Sequence, residues 1–177
     1  MRRHLNMLAA VVLTVAIVAP ELLAQEYQVR DEFLTRYNAA ADKIVKLAEA
    51  MPEEKYSWRP MEGVRSFSEV AMHVASANYF FSGKFGGTTP EGTSPQEMES
   101  ITEKLKVIET LKASVKHVQA AAAAARAENA ATKHPLFGGM ETTEMGAMLF
   151  ALDHAAEHLG QMIAYARSNE VVPPWSQ

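Results

Sequence analysis

Near its C-terminal end the chain carries His154-Ala155-Ala156-Glu157-His158. Side chains four residues apart on a helix project from the same face, so two imidazoles at this spacing can meet one ion. His73, about eighty positions earlier in the sequence, is the best third ligand. Three histidines from two helices leave coordination positions open for water or substrate, the mark of a catalytic rather than a closed structural zinc site. Spacing alone leaves the plainer alternative open, in which these are flank histidines that are hydrogen-bonded or exposed. A second chemistry uses the same five residues. His-x-x-Glu-His is the inverted zinc-peptidase pattern, with Glu157 as general base. That pattern needs a further acidic ligand downstream, and only Glu170 follows.

The helices must present these rings together. On a wheel of 100° per residue, Leu149, Leu152, Ala156, Leu159 and Ile163 form an apolar stripe, and Asp153, Glu157, Gly160 and Gln161 a polar face. His154 and His158 fall on the flank between them, beside Ala147, Ala151, Met162 and Tyr165, where small alanines leave space for a ligand. His73 holds a similar flank position on its own helix, beside Ala77 and Phe80. His117 lies opposite the expected core stripe of its helix and reads as solvated. His134 precedes a proline in a loop. Gln161 and Tyr165 continue the His154 side by about two and three turns. Asp153 and Glu157 could accept hydrogen bonds from ligating imidazoles, with a solvated face as the plainer reading.

Helical periodicity runs through residues 25–177 with almost no strand alternation. The first helix is expected over residues 28–51, with Phe33, Tyr37, Ala40, Ile44, Leu47 and Ala48 facing inward and Pro52 stopping it. The second starts at Ser66, where Ser66 and Glu69 form a capping-box pattern. Its stripe is Phe67, Val70, Ala71, Val74, Asn78 and Phe81, and Gly83, Gly86, Gly87 and Pro90 end it. Ser94-Pro95 is another start signal. The third helix is expected over residues 102–129, with Ile101, Leu105, Ile108, Val115, Val118, Ala122 and Ala125 inward. Residues 134–139 read as a loop. Thr142 or Thr143 caps a fourth helix that runs to about Asn169. Residues 171–175 form an extended tail that proline keeps from being helical. Trp58 and Trp175 read as packing residues, with walls of a substrate pocket as the alternative. The expected architecture is all-α, an antiparallel four-helix bundle.

Composition narrows the chemistry. The 177 residues hold no cysteine, which excludes disulfides, thiolate metal sites and a cysteine nucleophile. A net charge of −4 argues against an electrostatic grip on nucleic acid. Residues 1–24 read as a cleavable secretory signal, with Arg2 and Arg3 before an apolar run from Leu8 to Val18, and a cut after Ala24. The run is shorter than the ~20 residues that cross a bilayer comfortably. The expected domain is then residues 25–177, exported to a periplasmic or secreted location and free of the membrane once the signal is removed.

Together these residues resemble the DinB-like superfamily of metal-binding four-helix bundles. The resemblance rests on Trp58-Arg59-Pro60, Gly63-Val64-Arg65-Ser66-Phe67, His73-Val74-Ala75, the stretch Asp153 to Gln161, and the ending Val172-Pro173-Pro174-Trp175-Ser176. It implies that His73, His154 and His158 form a three-histidine site for zinc, nickel, iron or manganese. It further implies a thiol-dependent transferase or related activity on a small-molecule or thiol substrate, and a homodimer. Export sets this chain apart, because cytosolic thiol cofactors are scarce outside the cytoplasm. Three functions follow as expectations: a divalent-metal-dependent transferase or hydrolase, a non-catalytic exported interaction module using Met140, Met145 and Met148 as a pliable surface, and, more distantly, the inverted-motif peptidase. No catalytic residue beyond the metal ligands is assigned, and Asp153, Glu157, Gln161 and Tyr165 are the candidates for supporting the ligands from behind.

Overall fold

The computed structural model describes residues 28–176. The signal-peptide reading of residues 1–24 lies outside them. The described chain is mostly helical. Helix α1 occupies residues 28–50. It is followed by α2 (Phe67–Ser82), a one-turn α3 (Pro95–Met98), α4 (Lys104–Ala124) and α5 (Glu144–Ser168). Residues from all four long helices share one hydrophobic core, and α2 packs against both α4 and α5. No helix of the described residues is long and apolar enough to cross a membrane.

Local signals set most helix boundaries. The Ser66 side chain accepts from the Glu69 N–H at 3.3 Å, and Glu69 Oε2 accepts from the Ser66 N–H at 2.6 Å. Two of the donors at the start of α2 are thereby satisfied, and the Phe67 and Ser68 N–H groups donate to the Trp58 and Tyr56 carbonyls. Arg59 reaches the Val64 carbonyl and the Glu69 carboxylate at 2.9 and 3.0 Å, fastening the preceding loop to the same helix start. Ser94 caps α3, with Pro95 at its first position. Thr143, rather than Thr142, caps α5 by accepting from the Gly146 N–H. At the other end of α1, Lys104 Nζ donates to the carbonyls of Glu49 and Met51, which the helix itself leaves unpaired.

The inward faces of α1 and α2 follow the periodicity. Phe33, Tyr37, Ile44, Leu47 and Ala48 are buried in α1, with Ala40 half-buried. The whole α2 stripe is buried. A polar relay crosses this core. Tyr37 Oη donates to Asn78 Oδ1 at 2.8 Å, Asn78 Nδ2 donates to Ser114 Oγ at 3.0 Å, and Ser114 Oγ donates to the Leu111 carbonyl at 2.8 Å. It ties α1, α2 and α4 together away from water, and burial pushes the Tyr37 hydroxyl well above its usual pKa.

The later segments depart from the periodicity. Helix α4 begins at Lys104 and stops at Ala124, short of Asn129. The alanine run favours helix but carries no stop signal of its own. Instead, the chain beyond it is pinned to the start of α5, where the Met145 and Glu144 N–H groups donate to the Ala130 and Thr132 carbonyls. The α4 face is also rotated. Val107, Leu111, Ser114, Val118, Ala121 and Ala122 are buried, whereas Leu105 is exposed. His117 is accordingly not solvated. It is half-buried, with its ring centroid 5.1 Å from that of Tyr79.

The loop expected over residues 134–139 is the start and turn of a small antiparallel hairpin, β1 (Lys133–Pro135) with β2 (Glu141–Thr143), in which His134 faces Thr142. Three-residue strands are too short to show alternation. Their turn depends on Gly138 and Gly139, both at positive φ, where a side chain would be strained. The C-terminal tail is not wholly extended: Pro174–Ser176 make one 3-10 turn. Trp175 packs against the core there, beneath Lys43 at 5.6 Å.

Helix α5 shows the largest difference. Its buried residues include Ala147, Met148, Ala151, Ala155, Met162, Tyr165 and Ala166. Leu149 is 49% exposed, Ala156 is exposed, and Leu152, Leu159 and Ile163 are only partly covered. The centre of the buried face is shifted onto the alanines, with Leu152, Leu159 and Ile163 packed along its edge and Leu149 and Ala156 outside it. The Met-rich start divides likewise: Met148 is buried, while Met140 and Met145 remain partly exposed.

Candidate metal centre

The orientation of α5 turns His154 and His158 towards α2, where His73 waits about two turns beyond the Ser66 cap. The three ring centroids stand 4.3 Å (His154 to His158), 4.9 Å (His73 to His158) and 5.0 Å (His73 to His154) apart. One ring nitrogen from each lies within 4.8 Å of the other two, the only such group of three metal-ligating side chains found among the described residues. His73 Nε2 and His154 Nε2 are 3.2 Å apart. Two nitrogens bound at ~2.0–2.1 Å to one tetrahedral ion are separated by about 3.3 Å. The donor set and its spacing therefore fit a divalent ion.

The protonation states fit as well. Burial, then His158, His73 and Arg65, pull His154 down to about 3. Burial, then Arg65 and His158, lower His73, against the opposing pull of Glu99. Both rings are thus neutral at pH 7, with lone pairs available to a metal.

Neighbours orient the rings. His158 Nδ1–H donates to Gln161 Oε1 at 2.7 Å, which leaves its Nε2 for the cluster. Gln161 Nε2 donates to Tyr165 Oη at 3.0 Å, and Tyr165 Oη donates to the Arg65 carbonyl at 3.1 Å. Trp58 closes the far side of Tyr165, edge to face at 5.2 Å. Gln161 and Tyr165 thus stand behind the site. Asp153 and Glu157 do not: both are exposed, and neither hydrogen-bonds a ring of the cluster among the described residues. Glu157, the general base of the inverted-peptidase reading, is exposed and stands outside the group of three converging ligands.

The carboxylate that does approach is Glu99, just past α3. Its Oε1 lies 3.3 Å from His73 Nδ1, near enough to favour a proton there but not aligned as a hydrogen bond. Arg65 Nε holds the same oxygen at 2.9 Å. No local pattern marks Glu99, because the fold alone brings the short α3 back over α2. Beside the cluster lies a cavity of about 790 Å³. His73 and His154 line its inner end, and Phe80, Phe81 and Phe137 are among its walls.

The chain belongs to the DinB superfamily, whose family model matches residues 20–162. Among solved structures, it is similar to a DinB-like protein from Bacillus cereus, at 18% identity over 81% of this chain and 95% of that one, with a TM-score of 0.66. A DinB-like protein from Bacillus subtilis is 22% identical over 85% and 97% of the respective chains, with a TM-score of 0.61. A conserved protein from Enterococcus faecalis is 17% identical over 77% and 94%, also with a TM-score of 0.61. These likenesses show the fold. No curated protein matches the chain.

Proposed function

We propose that the protein is an exported, divalent-metal-dependent enzyme of the thiol-transferase or hydrolase type, built on an antiparallel four-helix bundle of the DinB kind. The observation that carries this reading is the 3.2 Å approach of His73 Nε2 to His154 Nε2, with His158 completing the group at the inner end of an open cavity. His73, His154 and His158 would hold the ion; zinc, nickel, iron and manganese all accept imidazole ligands. When bound, such an ion supplies Lewis acidity and lowers the pKa of a coordinated water or thiol. The chain's own part is to keep three imidazoles converged, with Gln161 and Tyr165 fixing His158. Its second part is to offer substrate a cavity that reaches His73 and His154.

The test compares protein loaded with each of the four metals, chelator-treated protein and His73→Ala across thiol-transfer and ester- or amide-hydrolysis assays. The expected result is turnover with at least one metal, falling by at least about 100-fold on chelation or in His73→Ala. Full metal loading without turnover in any assay would favour the non-catalytic module instead. Export rests on the N-terminal pattern of the sequence. Protein recovered outside the cytoplasm of the source cell with Gln25 as its first residue would support it, and retention of residues 1–24 would contradict it.

A further inference from the structure

The cavity beside the histidines has a chemical character of its own. Its volume lies in the ~300–1,000 Å³ range of small-molecule sites. Its walls include the rings of Phe80, Phe81 and Phe137, together with Ala77, Pro90 and Pro95. Phe81 stands edge-on to His154 at 5.8 Å, so aromatic wall and imidazole cluster are contiguous. Phe80 is 36% and Phe137 54% exposed, leaving large apolar rings uncovered at the mouth.

Hydroxyls also line the cavity, but their protons are committed elsewhere. Ser76 donates to the Thr93 carbonyl, Thr93 to the Pro90 carbonyl, Thr89 to the Tyr79 carbonyl, and Ser94 to the Glu97 carboxylate. A ligand rich in hydroxyls or amides would lose its hydrogen bonds to water and find few donors in exchange. No lysine or arginine lines the cavity among the described residues, and Glu97 is its one carboxylate there. Lys84 lies near the mouth, but over the Phe80 ring at 4.8 Å rather than in the lining. Phosphorylated or polyanionic ligands would therefore meet no cation beyond the metal centre.

We infer that this cavity takes a neutral aromatic body carrying a short metal-binding head, the rings lying against Phe80, Phe81 and Phe137 while the head reaches the three histidines. This rests on the metal-dependent reading above. It directs the substrate search to aryl or arylalkyl compounds with a thiol, ester or amide next to the ring, and away from sugar- or peptide-bearing thiols.

The experiment uses zinc-loaded full chain and two hydroxamates that share one head, 2-naphthohydroxamate and acetohydroxamate, titrated by calorimetry. The metal content of the same sample is read by elemental analysis. The naphthyl compound is expected to bind about 30-fold more tightly or better, the factor for taking an aryl group out of water. In Phe80→Ala/Phe137→Ala, whose two rings are already partly exposed and so carry little of the fold, the ratio should fall towards one. Stoichiometric zinc with equal affinities, or a ratio that the double variant leaves unchanged, would overturn the aromatic assignment alone. A sample that takes up none of zinc, nickel, iron and manganese would overturn the metal reading and this inference with it.

Discussion

His154→Ala/His158→Ala should lower bound zinc from near one ion per chain to a trace, and weaken zinc affinity beyond what a competing chelator can measure. Two of the three imidazoles vanish together, and a single remaining histidine cannot hold an ion against water. The effect should grade with distance from the ring nitrogens. Gln161→Leu removes the acceptor behind His158 Nδ1 and the donor to Tyr165 Oη but no ligand, so its expected loss is about 10–100-fold, as for other groups that orient a ligand. The helix should tolerate both changes. His154 and His158 are half-buried in a helix of many small residues, and alanine is the best helix former. Circular dichroism should therefore report an unchanged helix content. Zinc affinity that survives the double substitution would place the metal elsewhere.

The second large effect concerns stability and lies in the polar relay. Asn78→Leu keeps the side chain's approximate shape but leaves the Tyr37 hydroxyl without an acceptor in a fully buried position. The expected cost is about 3 kcal/mol, seen as a fall in the denaturant midpoint, because an orphaned buried donor loses its whole hydration. Removing the donor as well, in Tyr37→Phe/Asn78→Leu, should restore at least about 1 kcal/mol relative to Asn78→Leu. Ser114 keeps its own acceptor at Leu111 in either variant. Strictly additive losses would show that the relay is not a coupled unit and that the three helices are joined by apolar packing alone.

What the sequence made legible were features written within a few neighbouring residues. The Ser66/Glu69 box, the Ser94-Pro95 start, the stop before Pro52 and the inward stripes of α1 and α2 each depend on local chemistry. The convergence of His73, His154 and His158 was legible for a subtler reason. Each lies on the flank of a helix, and flanks meet when two helices pack closely. The orientation of α5 was not legible. Hydropathy centred the core stripe on large residues, but the fully buried positions go to Ala147, Ala151 and Ala155, while Leu152 only edges the core and Leu149 is exposed. Helix α4 misled similarly, because its alanine run distinguishes no side, and His117 was misplaced with it. Glu99 and Phe137 come to the site from α3 and the hairpin turn. No periodicity specifies where either segment folds back.

The central claim is that His73, His154 and His158 ligate one divalent ion. X-ray absorption at the edge of whatever metal purifies with the untagged, chelator-free protein tests it most directly. Three imidazole nitrogens at ~2.0–2.2 Å, with the remaining positions filled by light exchangeable ligands, is the expected shell. A shell made only of oxygens, or a protein that stays metal-free after reconstitution with zinc, nickel, iron and manganese, would contradict it.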